Sequence, residues 1–368
     1  MFEYLDWRGD LTFSASPLCP ADMLIFAALS YCPMERLNDG GKGGTLRSLE
    51  ATVYPADPVD GNDLDRLRCQ LWRASAGSAR FSGVTLERFL SHFDAAKEKQ
   101  FAAALIRLDE HTGIVAYRGT DATLVGWKED FNLSFESPIP AQTDAVAFLN
   151  EAAAGFDRLY LCGHSKGGNL AVYAAAHCES DARKKLVEIY SFDGPGLDDA
   201  TADSAAYAEV SPRIRSYVPE SSVIGMLMDY HNQYTIIDSD GVSIWQHNPF
   251  LWHIKGTSFV TRPELTRSGR YTDRTLHDFL KNCTHEERRV LVDSIFDIIN
   301  ATGAHSLKEI PMGVIRNFGD VRAALKQLSP ENRAILTKVF KTLAEASGSN
   351  IDVLLGMGRE NEGKANEE

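Results

Sequence analysis

Through the middle of the chain, short apolar runs rich in β-forming residues alternate with longer stretches of helical pattern, which predicts a mostly parallel sheet joined by crossover helices. Strands are expected over 102–108 and 114–118, either side of an Asp109-Glu110-His111-Thr112-Gly113 turn, and over 158–162, 186–192, 213–218 and 234–238. A further strand over 242–246 is expected after an Asp240-Gly241 hairpin turn. The helical stretches are 143–154 and the alanine-rich 167–178. Upstream, residues 20–31 begin at Pro20 and run apolar to Tyr31 before Pro33, the pattern of a short buried helix with proline at its first position. The glycine-rich stretch 38–44 and the Pro-, Asp- and Gly-rich stretch 54–65 read as loops that could border a pocket.

Beyond about residue 270 the pattern turns helical: Thr284 and Glu287 are spaced as a capping box, and Ser329-Pro330 opens a last long helix. The expected organisation is an α/β domain over 1–265, a helical extension over 266–357 whose apolar faces pack on that domain or on a partner, and a charged, frayed tail over 358–368. No internal repeat or low-complexity tract interrupts it.

With 368 residues, 44% of them hydrophobic, the chain can bury one large core or two smaller ones. Its longest apolar runs, such as Met23–Leu29, fall far short of the roughly 20 residues that span a bilayer. Stable membrane insertion is therefore not expected. The first residues lack the basic start and apolar stretch of a secretion signal, so a cytoplasmic location is expected. A net charge of −13 and a pI of about 5.3 argue against nucleic acid as a partner, because the protein's field repels phosphate backbones. The six cysteines are scattered, with no CxxC pair and no metal-type spacing. They read as free thiols in the core, and neither a zinc site nor a disulfide framework is predicted.

The chemistry concentrates at Arg158-Leu159-Tyr160-Leu161-Cys162-Gly163-His164-Ser165-Lys166-Gly167-Gly168-Asn169-Leu170-Ala171: a strand, then GxSxG, then a helix. That context is the one a nucleophile elbow needs. The turn is so tight that side chains two residues either side of the serine would clash, and Gly163 and Gly167 remove them. His164 completes the elbow, and the helix N-terminus behind Ser165 points at the place where negative charge develops. The blander reading is a glycine-lined turn whose serine only caps the helix.

Serine is a weak nucleophile until a base takes its proton, so an acid and a histidine should follow later in the chain, acid first. His247, in the proline-broken loop Trp245-Gln246-His247-Asn248-Pro249 past the last strand-like run, is the expected base, with His253 and His231 in reserve. His177 lies about three turns along the helix from the elbow, and His277, His285 and His305 belong to the helical tail. Asp193 directly follows the strand ending at Phe192 and is the favoured acid; Glu220, in Val218-Pro219-Glu220-Ser221-Ser222, is its rival. For the oxyanion, one donor is the amide of Lys166. The other is expected from Thr120 in Tyr117-Arg118-Gly119-Thr120-Asp121, whose hydroxyl could add a third bond. The blander alternatives there are an Arg118–Asp130 ion pair and a plain turn at Gly119.

Ile114-Val115-Ala116-Tyr117-Arg118-Gly119-Thr120, then Gly126-Trp127-Lys128-Glu129-Asp130-Phe131, then Gly163-His164-Ser165-Lys166-Gly167-Gly168-Asn169-Leu170-Ala171 resemble the paired motifs of class 3 (fungal-type) lipases, nearest to a poorly characterised bacterial branch of that superfamily. The resemblance runs from about residue 20 to about residue 260 and implies the α/β-hydrolase fold, with a mostly parallel central sheet, flanking helices and an α-helical C-terminal extension. It implies that Ser165 is a nucleophile attacking a carboxylic ester and that Thr120 lines the oxyanion hole. No metal or organic cofactor is expected; the implied substrate is a small acyl ester or a lipid.

Two departures stand out. The family commonly has Leu after the serine, where this chain has Lys166, and its acid usually lies after the strand ending here at Val218, where no Asp occurs. Either Glu220 substitutes or the acid has moved one strand back to Asp193, as in pancreatic-type lipases. The competing readings are a catalytically silent binding or scaffold protein on the same fold, and a thioesterase or amidase on the same scaffold. Oligomeric state is not fixed by any of these patterns.

Overall fold

The run Phe101–Ile106 is apolar at every position because it is covered on both faces, as a strand near the middle of a helix-covered sheet must be. The computed structural model describes residues 1–37, 43–58, 63–121, 123–228, 233–304, 309 and 316–349. Within them an eight-stranded sheet runs in simple chain order. Its strands are β1 (Gly44–Thr45), β2 (Thr85–Asp94), β3 (Lys99–Arg107), β4 (Thr112–Tyr117), β5 (Arg158–His164), β6 (Leu186–Phe192), β7 (Ile214–Pro219) and β8 (Tyr234–Ile237). Pairing is antiparallel from β1 to β4 and parallel from β4 to β8. With helices on both faces, this is the α/β-hydrolase fold.

Alternation along the strands sends side chains to two cores. Ala102, Ala104, Ile106, Ile114, Ala116 and Phe192 face the buried helix Pro20–Leu29. Ala103, Leu105, Val115, Tyr117, Leu161 and Ile189 face the helices Pro140–Ala153 and Lys166–His177. One charge enters the Pro20–Leu29 helix: Asp22, which accepts from the buried Arg80 and from the Tyr4 hydroxyl. All six cysteines are free and buried.

Past the sheet, Thr266 caps the helix Arg267–Asn282, and the Thr284–Glu287 box caps the helix His285–Asn300 with both reciprocal bonds made. Ser329 opens the helix Pro330–Ser349. The helix His285–Asn300 lies against the helix Leu124–Asn132. There Phe131 meets Phe296 edge to face, and Lys128 pairs with Asp293. No described helix is long and apolar enough to cross a membrane. The expected loop over 54–65 ends at Asp63, where the helix Asp63–Gly77 begins; its residues 59–62, together with 38–42, His231, His305 and the tail over 358–368, lie outside the described residues.

The expected strand over 242–246 is not formed. Ser243–His247 is a 3-10 helix, and instead of a hairpin at Asp240-Gly241 the chain makes a bridge between Ser239 and Trp252. The alternating pattern there misleads because its apolar members, Val242, Ile244 and Trp245, face solvent. Gln246 is the inward residue: its Oε1 accepts from Ser221 N (2.7 Å), its carbonyl from Trp252 Nε1 (2.7 Å), and these bonds curl the segment.

Candidate active site

Ser165 sits at the corner between β5 and the helix Lys166–His177 with φ 60° and ψ −135°, a conformation that costs a non-glycine residue about 1–3 kcal/mol. Its amide donates to Phe192 O (2.9 Å), which holds the corner against β6. The flanking glycines are obligatory: a Cβ at Gly163 would collide with the backbone of Gly167, and one at Gly167 with the carbonyl of Tyr117. Ser165 itself is 7% exposed.

The aspartate and histidine meet one strand away. Asp193, fully buried at φ 49°, donates its amide to Tyr217 O (2.8 Å) and turns its carboxylate toward the loop after β7. Its Oδ1 accepts from Ser222 Oγ (2.5 Å) and its Oδ2 from His247 Nδ1 (2.6 Å). The proton therefore lies on Nδ1, which leaves Nε2 as the basic nitrogen of His247. Glu220 is not brought to the imidazole; it lies 3.6 Å from Arg262. A Cβ at Gly225 would strike Asp193 Oδ1, so that glycine keeps room for the carboxylate.

The histidine is delivered to the elbow by the residue before the serine. His164 Nε2 donates to the carbonyl of His247 (2.7 Å), and the two rings lie with centroids 4.4 Å apart. With its proton on Nε2, His164 Nδ1 accepts from the Tyr31 hydroxyl (3.0 Å). Burial pushes the His164 imidazole well below its ordinary range, with the nearby His247 acting in the same direction, so this clamp works with a neutral ring.

On the other side of Ser165 lies the Arg118-Gly119-Thr120 turn. A Cβ at Gly119 would meet the Tyr31 hydroxyl, His164 O and Ser165 Cβ, so only glycine lets this turn approach the elbow. The Thr120 hydroxyl donates to Asp130 Oδ2, which commits its proton and leaves the backbone N–H as the group free to act. Arg118 pairs with Glu35 at 2.5 Å and not with Asp130. Lys166 turns its side chain inward, away from solvent. Its N–H, at the first position of the helix, has no acceptor within that helix.

The remaining histidines lie elsewhere. His177 bonds Thr201 and stacks on Tyr173. His253 bridges Asp238 (2.7 Å) and Asp240 (3.0 Å). His277 and His285 sit in the helices beyond Thr266. Sequence reading missed Tyr31, Ser222, Gln246 and Glu129; Ser222, Gln246 and Glu129 lay in stretches already singled out, where their partners were not apparent.

A mostly parallel sheet with a strained serine at the strand–helix corner, an aspartate closing the next strand and a histidine from the loop beyond the last one defines the α/β-hydrolase class. Within that class the chain belongs to the lipase-like Mbeg1-like family, whose profile matches residues 75–297. Among solved structures it is similar to the crystal structure of M37 lipase, at 15% identity and a TM-score of 0.34, over 55% of this chain and 68% of that one. It is also similar to the crystal structure of extracellular lipase LipA from Serratia marcescens, at 14% identity and a TM-score of 0.34, over 58% of this chain and 40% of that one. No protein of curated function matches the chain.

Proposed function

We propose that the chain is a serine hydrolase of the class 3 lipase type that cleaves carboxylic esters, its substrate a small acyl ester or a lipid. Ser165 is the nucleophile, His247 the base, Asp193 its orienting acid, and the backbone N–H groups of Lys166 and Thr120 the oxyanion donors. The observation that carries this reading is the 2.6 Å contact between His247 Nδ1 and the buried Asp193 carboxylate, on a loop that His164 clamps directly beside the elbow.

In the first half-reaction His247 Nε2 takes the Ser165 proton as Oγ bonds to the ester carbonyl carbon. The carbonyl oxygen becomes the oxyanion facing the two N–H groups. The imidazolium then returns the proton to the departing alkoxide, the C–O bond breaks, and an acyl-serine remains. Water, deprotonated by the same imidazole, repeats the sequence and releases the carboxylic acid. The chain's own groups suffice for every proton moved.

A fluorophosphonate probe tests the reading. The wild type and Asp193→Asn should both retain the fold, with Ser165→Ala losing all labelling and Asp193→Asn most of its labelling rate. A wild type that is not labelled and cleaves no p-nitrophenyl ester would establish the silent scaffold reading instead. Comparing matched ester, thioester and amide substrates separates an esterase from a thioesterase or amidase.

A further inference from the structure

Behind the two oxyanion donors lies a buried charged cluster that this scheme does not use. The Lys166 side chain is 0% exposed, and its ammonium donates to Gln100 O (2.9 Å), Gln100 Oε1 (3.0 Å) and Glu129 Oε2 (2.8 Å). Three protons thus meet three acceptors. Glu129 is also 0% exposed, and it accepts from the amides of Gln100 and Ala141 at 3.0 Å each. The neighbouring Asp130 extends Oδ1 to within 3.7 Å of Lys166 Nζ, while its Oδ2 takes the Thr120 hydroxyl.

Both residues that offer an oxyanion N–H are therefore tied by their own side chains to consecutive carboxylates of one helix, Leu124–Asn132. Gly126 lets that helix come close, since a Cβ there would press on Thr120 Cγ2 and Gln100 Oε1. A buried ion pair is a poor source of stability, because desolvating each charge costs several kcal/mol and a well-packed apolar pair often does as well. What the pair supplies that a leucine would not is direction: three fixed bonds orient the first turn of the helix behind Ser165 relative to β3 and the helix Leu124–Asn132, whose Asp130 in turn holds the Thr120 hydroxyl.

We propose that Lys166 and Glu129 are positioning residues whose buried ion pair, together with the Asp130–Thr120 contact, sets the separation of the two oxyanion N–H groups to fit the tetrahedral transition state. The inference rests on the hydrolase reading above. Its signature is a loss confined to the chemical step, since binding of the planar ester makes little use of that separation.

The test uses the full-length chain with Lys166→Met and, separately, Glu129→Gln, each assayed on a p-nitrophenyl ester after titration of folded, reactive sites with a fluorophosphonate. A reversible trifluoromethyl ketone, which forms an oxyanion on the serine, reads the donors directly. Per titrated site we expect KM within about twofold of wild type and kcat lowered at least roughly tenfold, below the loss of a whole donor. The ketone's inhibition constant should rise by the same factor. If either folded variant loses less than about tenfold in kcat, whether or not its KM rises, the pair is structural and the proposal fails. A variant too unstable to titrate leaves the decision to the other. An inactive, unlabelled wild type would overturn the hydrolase reading itself, an outcome distinct from an active wild type with unaffected variants.

Discussion

Asp193 and Glu220 close adjacent parallel strands, so at the resolution of sequence they are near equals; what separates them is side-chain direction. Asp193 turns back at positive φ and is met by Ser222, which belongs to the rival's own loop, whereas Glu220 points to Arg262. Neither fact has a signal in residue spacing, because both depend on contacts across strands. Asp193→Asn should accordingly lower kcat by about 10³–10⁴ through loss of the Nδ1–H tautomer, while Glu220→Gln should stay within a few fold; ester turnover by the two variants decides between them. Asp130 gives a second test at this scale. Burial outweighs the nearby Lys166 ammonium and raises its carboxyl from the usual 3.8 to about 6. The folded protein then holds a proton that the unfolded chain has released, so this group makes stability fall as pH rises from about 4 to about 6. Asp130→Asn removes that dependence. Urea unfolding of both proteins across this range should show the wild type losing ground to the variant, and a constant difference would show that Asp130 does not titrate there.

Elements with strong local signals were legible: Pro20 at a helix start, the Thr284–Glu287 box, the strands β3 to β8 and the elbow all rest on short-range steric and capping rules. The strand β2 was not, because Thr85–Asp94 is half exposed and largely polar, and it owes its place to pairing with β3. The His247 loop failed in the opposite way, with a strand-like alternation but with the outer side of β8 bonded instead to residues 260–262. That loop is pinned at its base, where His253 N donates to Asp238 O (3.1 Å) and the His253 ring spans Asp238 and Asp240. Hydrogen bonds to Asp240 and Asp238 raise the His253 pKa above the usual 6.5. The stabilisation it gives is complete below that value and is lost as pH rises through the raised one. His253→Ala should therefore increase loop exchange with deuterium more at pH 6 than at pH 9, and equal protection in the two proteins at pH 6 would rule the clasp out. The helix Leu124–Asn132, which carries Glu129 and Asp130, leans on the helix His285–Asn300. Phe296 is buried there against Phe131 and Trp127, so Phe296→Ala should cost about 3–5 kcal/mol. If that contact also steadies the oxyanion region, hydrogen exchange will rise within Leu124–Asn132 as well as around position 296.

At the scale of the whole molecule the sheet order follows the chain, so each crossover places the next strand beside the last and carries the strand ends to one edge. The three groups drawn from β5, β6 and the loop beyond β8 are carried to that edge for that reason, although His247 lies 82 positions beyond Ser165. That convergence could be read from sequence as a class property, because parallel strands present their carboxyl ends at one edge; the clamps that hold the His247 loop beside the elbow, Tyr31 and His164 above all, could not. The charge of the molecule acts on the same edge from outside. With −13 net charges, and with Val242, Ile244 and Trp245 exposed beside His247, neutral aggregates of an ester should be approached more readily than anionic ones. The repulsion reaches about 30 Å at 0.01 M salt and about 8 Å at 0.15 M. Initial rates on the same ester dispersed in neutral and in anionic micelles should therefore differ most at low salt and converge as salt is added. A preference that persists undiminished at high salt would locate selectivity in contacts at the site and not in the field of the molecule.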